Sequence, residues 1–191
     1  MQDSPNGFDT PMLGLPREDW FAKLEEIVDE DGYLQPLGPR HWASFVEDKP
    51  ILLVTFETLQ SMQDRKDTGQ PLGFELVREL GWSHLCLMSD GDTWFRDKHV
   101  YAFIDRLVDD GFFDEFDRVV FYGAGSCGYA AAAFSVAAPG ATVLAIQPQA
   151  TLGPGIVPWE DRFPAMKRVS FASRYGYAPR MIEAAERGFV I

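Results

Sequence analysis

Apolar and polar positions along the chain fall into two alternating periods. From Pro16 onward, Trp20, Phe21, Leu24, Ile27 and Val28 recur at helical spacing. Pro16 suits a first-turn position, Glu18 and Asp19 favour the positive end of the helix dipole, and Gly32 stops the run. "PILLVTF" from Pro50 is a continuous apolar, β-branched run, the pattern of a strand buried on both faces. A short helix "GFELVRELGW" follows, with Phe74, Val77 and Leu80 on one face and Gly81 at its end. "HLCLM" from His84 is the next strand, and Asp97 to Asp110 a second amphipathic helix carrying Val100, Tyr101, Ile104, Leu107 and Val108 on one face before Gly111. "RVVFY" from Arg118 is the third strand, Tyr129 to Ala137 a helix and "TVLAI" from Thr142 the fourth strand. Pro179 opens a last helix, and "GFVI" from Gly188 begins a fifth strand.

Strands and helices that alternate through short connections predict an α/β domain of three layers, a mostly parallel sheet with helices on both faces. Residues 1–15, "MQDSPNGFDTPMLGL", carry no period and read as an arm, so a single domain is expected over 16–191. Within it, residues 148–177 are rich in Pro, aromatic and charged groups. An insertion of that length between a strand and a helix reads as a lid or binding loop.

Composition narrows the partners. Hydrophobic residues make up 46% and charged residues 24% of the 191, enough for one sizeable core. The net charge of -12 repels phosphate backbones and anionic lipid surfaces, so neither nucleic acid nor membrane is expected as a partner. No leader pattern or membrane-length apolar run occurs, which predicts a cytoplasmic protein. Cys86 and Cys127 form neither a CxxC pair nor a disulfide framework, and His41, His84 and His99 lack ligand spacing. The expectation is therefore no metal and no cofactor.

The candidate chemistry lies in "VVFYGAGSCGYAA", residues 119–131, a strand, a glycine turn and a small-residue helix start. At the carboxyl end of a parallel strand such a turn stands where ligands bind. Gly123, Gly125 and Gly128 satisfy the G-x-G-x-x-G of a dinucleotide loop, which keeps a nucleotide-binding oxidoreductase open. Against it, the ribose-binding acid expected at the end of the next strand is replaced by Gln147 and Gln149, and at least two strands precede the loop. The same residues also suit a nucleophile elbow, with two registers. Either Ser126 is the nucleophile, flanked by Ala124 and Gly128, or Gly125 occupies that position and Cys127 stands at the second glycine.

"FYGAGSCGYAAAAFSVAAPGATVLAIQPQATL", with "SDGDTWFRD" before it and "WEDRFP" and "SRYGYAP" after it, resembles a bacterial group of α/β-hydrolase-like proteins. In that group the turn commonly reads G-x-S-M-G-G-Y-A-A or G-A-G-M-G-G-Y-A-A, and the resemblance covers most of the chain from about Pro50. It aligns Tyr129 with the motif tyrosine, Gly125 with the nucleophile, Ser126 with the following residue, and Cys127 and Gly128 with the two glycines. Some members with a "GAG" turn bear the label phosphoadenosine phosphosulfate reductase. This chain lacks both the S-G-G-x-D-S type loop and the E-C-G-x-H segment of such chemistry.

A serine nucleophile needs a base and an acid to orient it. In the hydrolase order these follow the seventh and eighth strands. Ile191 stands inside what that order makes the seventh strand, and no histidine follows His99, so the resemblance implies a degenerate elbow. Among earlier residues, His99 faces the site side with Asp90 or Asp92 to orient it, whereas His41 and His84 are expected at the amino end of the sheet. Cys127 offers a thiol at a helix N-terminus, with burial as the alternative reading. Trp94 and Phe95 read as core or pocket wall. Oxyanion donors are expected from the Ser126 backbone and from the segment around Phe56 and Glu57.

These readings converge on an α/β-hydrolase-like protein, degenerate or acting weakly on esters or thioesters through Ser126, with a small-molecule ligand or ester in the site. The alternatives are the nucleotide-binding oxidoreductase and a non-catalytic binding or assembly protein. An unpaired sheet edge at Ile191 predicts a homodimer.

Overall fold

A computed structural model of the chain describes residues 7–65 and 68–191. The first six residues of the expected arm lie outside it. Gly7–Asp9 form a single 3-10 turn, Phe8 meets Phe74 edge-on, and Met12 is buried while its N-H donates to the Thr68 carbonyl at 2.7 Å.

The elements run, in chain order, α1 (Arg17–Val28), β1 (Gly32–Pro36), β2 (His41–Val46), β3 (Lys49–Thr58), α2 (Leu59–Gln63), α3 (Gly73–Leu80), β4 (Trp82–Ser89), α4 (Lys98–Asp109), β5 (Arg118–Ala124), α5 (Ser126–Phe134), β6 (Thr142–Ile146), α6 (Ala178–Met181) and β7 (Arg187–Val190). Among the described residues one sheet contains seven strands in the order β1-β2-β4-β3-β5-β6-β7. β4, β3, β5, β6 and β7 are parallel, and β1 and β2 join as an antiparallel hairpin on the β4 side.

Period-two alternation sorts the central strands. Leu52, Val54 and Phe56 of β3 and Leu85 and Leu87 of β4 join the core that α4 and α5 cover. On the opposite face Cys86 and Met88 of β4 meet Trp20 and Leu24 of α1 and Phe74 and Val77 of α3. Helices therefore cover both faces, and the architecture is α/β with a mostly parallel sheet.

Some boundaries differ from expectation. The hairpin of β1 and β2 was not expected, because β1 is half-exposed and lacks an apolar run. The helix predicted over Tyr129 to Ala137 starts three residues earlier, at Ser126, and ends at Phe134 in a 3-10 turn. The helix at Pro179 is one turn long, since Ile182–Ala184 tighten into a 3-10 turn. Residues 148–177 carry no α-helix, only the 3-10 turn Pro164–Arg168. Arg96 ties this segment down, donating to the Ser170 carbonyl at 2.9 Å, to the Ser173 hydroxyl at 3.0 Å and to the Arg174 carbonyl.

Candidate functional site

β5 ends at Ala124, and the chain reverses into α5 through Gly125, whose φ of 60° and ψ of −124° lie in a region that L side chains rarely adopt. The reversal is tight. A Cβ on Gly123 would stand 2.1 Å from the Cys127 carbonyl oxygen, and one on Gly128 would stand 2.9 Å from the Ile146 carbonyl oxygen. A Cβ on Gly125 would meet nothing within 4 Å. The strained apex that an elbow gives its nucleophile is thus Gly125, with open space before it and no side chain on it. Ser126 follows as the first residue of α5.

Ser126 Oγ donates to Asp92 Oδ1 at 2.7 Å, so the hydroxyl is held by a carboxylate rather than an imidazole. Asp90 is engaged elsewhere, accepting from Arg17 at 2.8 Å and from Gln60 at 3.1 Å. Neither aspartate orients His99. Its Nδ1 pairs with Asp97 Oδ1 at 2.9 Å, it packs beside Gly38, and it does not line the cavity at Ser126.

The other histidines are placed by strand direction. β2 runs antiparallel to β4, and His41 pairs in register with Ser89, at the carboxyl end of β4. His41 therefore lies on the site side of the sheet, contrary to its expected place at the amino end. It is buried and hydrogen-bonded with Thr93 Oγ1 at 2.8 Å, and burial pushes its pKa down to about 4. His84 is in register with Leu53 and buried beneath α3, with its pKa pushed down by burial to about 3. Cys127 is buried too, and burial pushes its thiol up to about 12, the opposite of the shift that activates a thiolate nucleophile.

A cavity of about 330 Å³ opens at the turn, bounded by Gly125, Ser126, Asp92, Trp94, Arg65 and Gln149. Phe56 and Glu57 from the end of β3 line it as well, so the two segments expected to supply oxyanion donors do meet. The first N-H groups of α5 have no partner within the helix and carry the positive end of its dipole. The Gly125 N-H is not available, because it donates to the Ile146 carbonyl at 2.8 Å. That occupation removes one donor a phosphate-binding G-x-G-x-x-G loop would use.

Two polar atoms of the lining residues, Trp94 Nε1 and Gln149 Oε1, are buried with no hydrogen-bond partner among the described residues. Buried orphan groups are uncommon in folded proteins, and a ligand is one of the few things that satisfies them. Three non-glycine residues near the site also hold left-handed backbone: Trp94 at φ 50°, Phe95 at φ 53° and Gln147 at φ 47°. The sequence pattern marks Trp94 as core or wall and Gln149 only as standing where a ribose-binding acid would be; it gives no sign of Arg65 or of the Ser126 to Asp92 bond. A larger cavity, about 700 Å³, lies between α4 and residues 171–181 and shares none of these lining residues.

No protein family matches the chain, and no curated protein does. Among solved structures, a putative carboxylesterase from Lactobacillus plantarum aligns with a TM-score of 0.46 and 14% identity over 84% of this chain and 74% of its own. The glycosylation-associated Gap123 complex from Streptococcus agalactiae aligns at 0.45 and 14% over 80% of this chain and 32% of that one, so the chain spans about a third of its length. Brefeldin A esterase, a bacterial homologue of human hormone-sensitive lipase, aligns at 0.34 and 16% over 94% of this chain and 55% of its own. The architecture rests on the chain's own structure, a mostly parallel mixed sheet with helices on both faces and a strained turn between β5 and α5. Among the described residues no helix is long and apolar enough to cross a membrane.

Proposed function

We propose that the chain binds a small ligand carrying a carbonyl or carboxylate in the elbow cavity and does not turn it over through Ser126. The observation that carries this reading is the bare apex, with the strained φ and ψ at Gly125 and no nucleophile on it. The ligand oxygen is met by the first N-H groups of α5 and by the Trp94 indole N-H, while Gln149 Oε1 and Asp92 accept from a donor elsewhere on the ligand. Phe163, 4.5 Å from Trp94 between ring centroids, brings residues 148–177 over the cavity, and we assign that segment as its lid or binding loop.

A second reading, weak ester or thioester hydrolysis through Ser126, is favoured by the 2.7 Å bond to Asp92. The two separate in one experiment, intact mass after a fluorophosphonate probe on the wild-type chain and on Ser126→Ala, with calorimetric titration of short carboxylates and esters alongside. The binding reading expects heat without labelling. Labelling of the wild type that disappears in Ser126→Ala replaces it with the hydrolase reading. Assembly through β7 belongs to the same proposal: Phe189 and Val190 are exposed on this edge strand, and light scattering at micromolar concentration is expected to give a dimer mass.

A further inference from the structure

β3 and β4 turn four polar side chains toward α1 and α3, among the apolar residues of that layer. Thr55 and Glu57 alternate with Val54 and Phe56, and His84 and Cys86 alternate with Leu85 and Leu87. The register sets Thr55 beside Cys86 and Leu53 beside His84, so the four functional groups converge below Trp20, Leu24 and Phe74. A ring nitrogen of His84, a carboxylate oxygen of Glu57 and Sγ of Cys86 all lie within 4.8 Å of one another, and all three residues are buried.

The group is organised. Thr55 Oγ1 donates to Glu57 Oε1 at 2.8 Å and is hydrogen-bonded with His84 Nε2 at 2.9 Å, while Cys86 Sγ donates to Glu57 Oε1 at 3.5 Å. The Leu72 N-H and the Arg65 guanidinium hold Glu57 Oε2 at 3.2 and 2.6 Å. Gly73 makes room for the imidazole: a Cβ there would stand 2.3 Å from the His84 ring. His84 Nδ1 is buried with no hydrogen-bond partner among the described residues.

Four polar groups in an apolar layer cost desolvation that hydrophobic residues of the same size would avoid. The donor set supplies a reason for keeping them. The geometry points to a divalent transition-metal site, a Zn²⁺ ion held by the Cys86 thiolate, the His84 imidazole and the Glu57 carboxylate, with the Thr55 hydroxyl beside them. Sulfur, nitrogen and oxygen donors in one buried cluster are what Zn²⁺ takes, and the three residues stand on two paired strands. On binding, the Cys86 S-H bond breaks, its proton goes to solvent and an S-Zn bond forms. Thiolate and carboxylate then offset the ion's charge, and the partly exposed Arg65 guanidinium on Glu57 Oε2 keeps its positive charge toward solvent. Glu57 and Arg65 also line the elbow cavity, so the site braces one wall of it.

The test uses the full chain refolded with Zn²⁺ or Co²⁺ and passed through a chelating column. Elemental analysis is expected to find one metal ion per chain, and the Co²⁺ form to show a thiolate-to-cobalt charge-transfer band in the near ultraviolet. Cys86→Ser abolishes that band, Cys127→Ser keeps it, and His84→Gln weakens retention at least tenfold. X-ray absorption of the wild-type Zn²⁺ form, which needs no variant to fold, is expected to show one sulfur at about 2.3 Å among nitrogen and oxygen ligands. A wild-type chain without retained metal, a first shell with no sulfur, or a band that survives Cys86→Ser overturns the proposal.

Discussion

The elbow is tested by setting two of its glycines against each other. Gly125→Ser adds a Cβ that meets nothing within 4 Å, so its main cost is the backbone conformation. Holding an L residue at such a φ and ψ costs about 1–3 kcal/mol. Gly123→Ala is different in kind, because the new Cβ would stand 2.1 Å from the Cys127 carbonyl oxygen and 2.4 Å from its carbonyl carbon. Both are backbone atoms in the first turn of α5, and reaching the 3.4 Å of ordinary contact means moving that turn by about 1 Å. α5 is wedged against β5 and β6, so the displacement is an overpacking defect worth about 3 kcal/mol or more. At about 2–4 °C per kcal/mol for a chain of this size, Gly125→Ser melts about 2–12 °C low and Gly123→Ala lower still. Differential scanning calorimetry of both variants in one buffer decides the order. If Gly125→Ser is the more damaging, or if Gly123→Ala is neutral, Gly125 is not the open apex.

Three further outcomes follow from particular side chains. Trp94→Phe removes the buried indole N-H that has no partner among the described residues, so stability stays within about 1 kcal/mol while carboxylate affinity in calorimetry falls about tenfold; loss of stability without loss of affinity contradicts the assigned donor. For His41, burial lowers the pKa to about 4, with Asp97 opposing and Arg40 and His99 adding to the shift. The unfolded chain takes up this proton below its ordinary value of 6.5 and the folded chain does not until about 4, so stability is full above pH 6.5 and falls across that window. Urea melts at pH 7 and pH 5 are expected to differ by about 2 kcal/mol more in wild type than in His41→Gln, and equal differences refute the assignment. Arg96→Ala frees the segment held through Ser170, Ser173 and Arg174 and through the Tyr101 and Phe171 rings, and limited proteolysis between 148 and 177 accelerates about a hundredfold, with no acceleration counting against the strap.

Local pattern carried much of the fold. The apolar run of β3, the strands β4, β5 and β6 and the amphipathic faces of α1, α3 and α4 are all readable from periodicity, because each buries a stripe or a whole face against the same core. The glycine turn was legible for the same local reason: small residues at 123, 125 and 128 announce a backbone reversal whatever its chemistry. The hairpin of β1 and β2 was not, since a half-exposed edge pair gains its stability from the neighbour it joins rather than from its own sequence.

Direction and convergence belonged to the tertiary structure. His41 changes ends of the sheet because β2 runs antiparallel to β4, a fact of pairing that no window of residues around it contains. The turn sequence admits Gly125 or Ser126 as apex, and only the backbone angles choose between them. Asp92 reaches Ser126 from 34 positions away, and Glu57 reaches Cys86 from 29. His84 and Cys86 lack ligand spacing along the chain, and it is strand alternation that turns both to one face and the parallel register of β3 that sets Glu57 beside them. The sequence by itself determined where the chain bends and which faces are apolar, because those follow from local sterics and solvation. Which polar groups meet was decided by strand order and register, because those emerge only when the whole sheet closes.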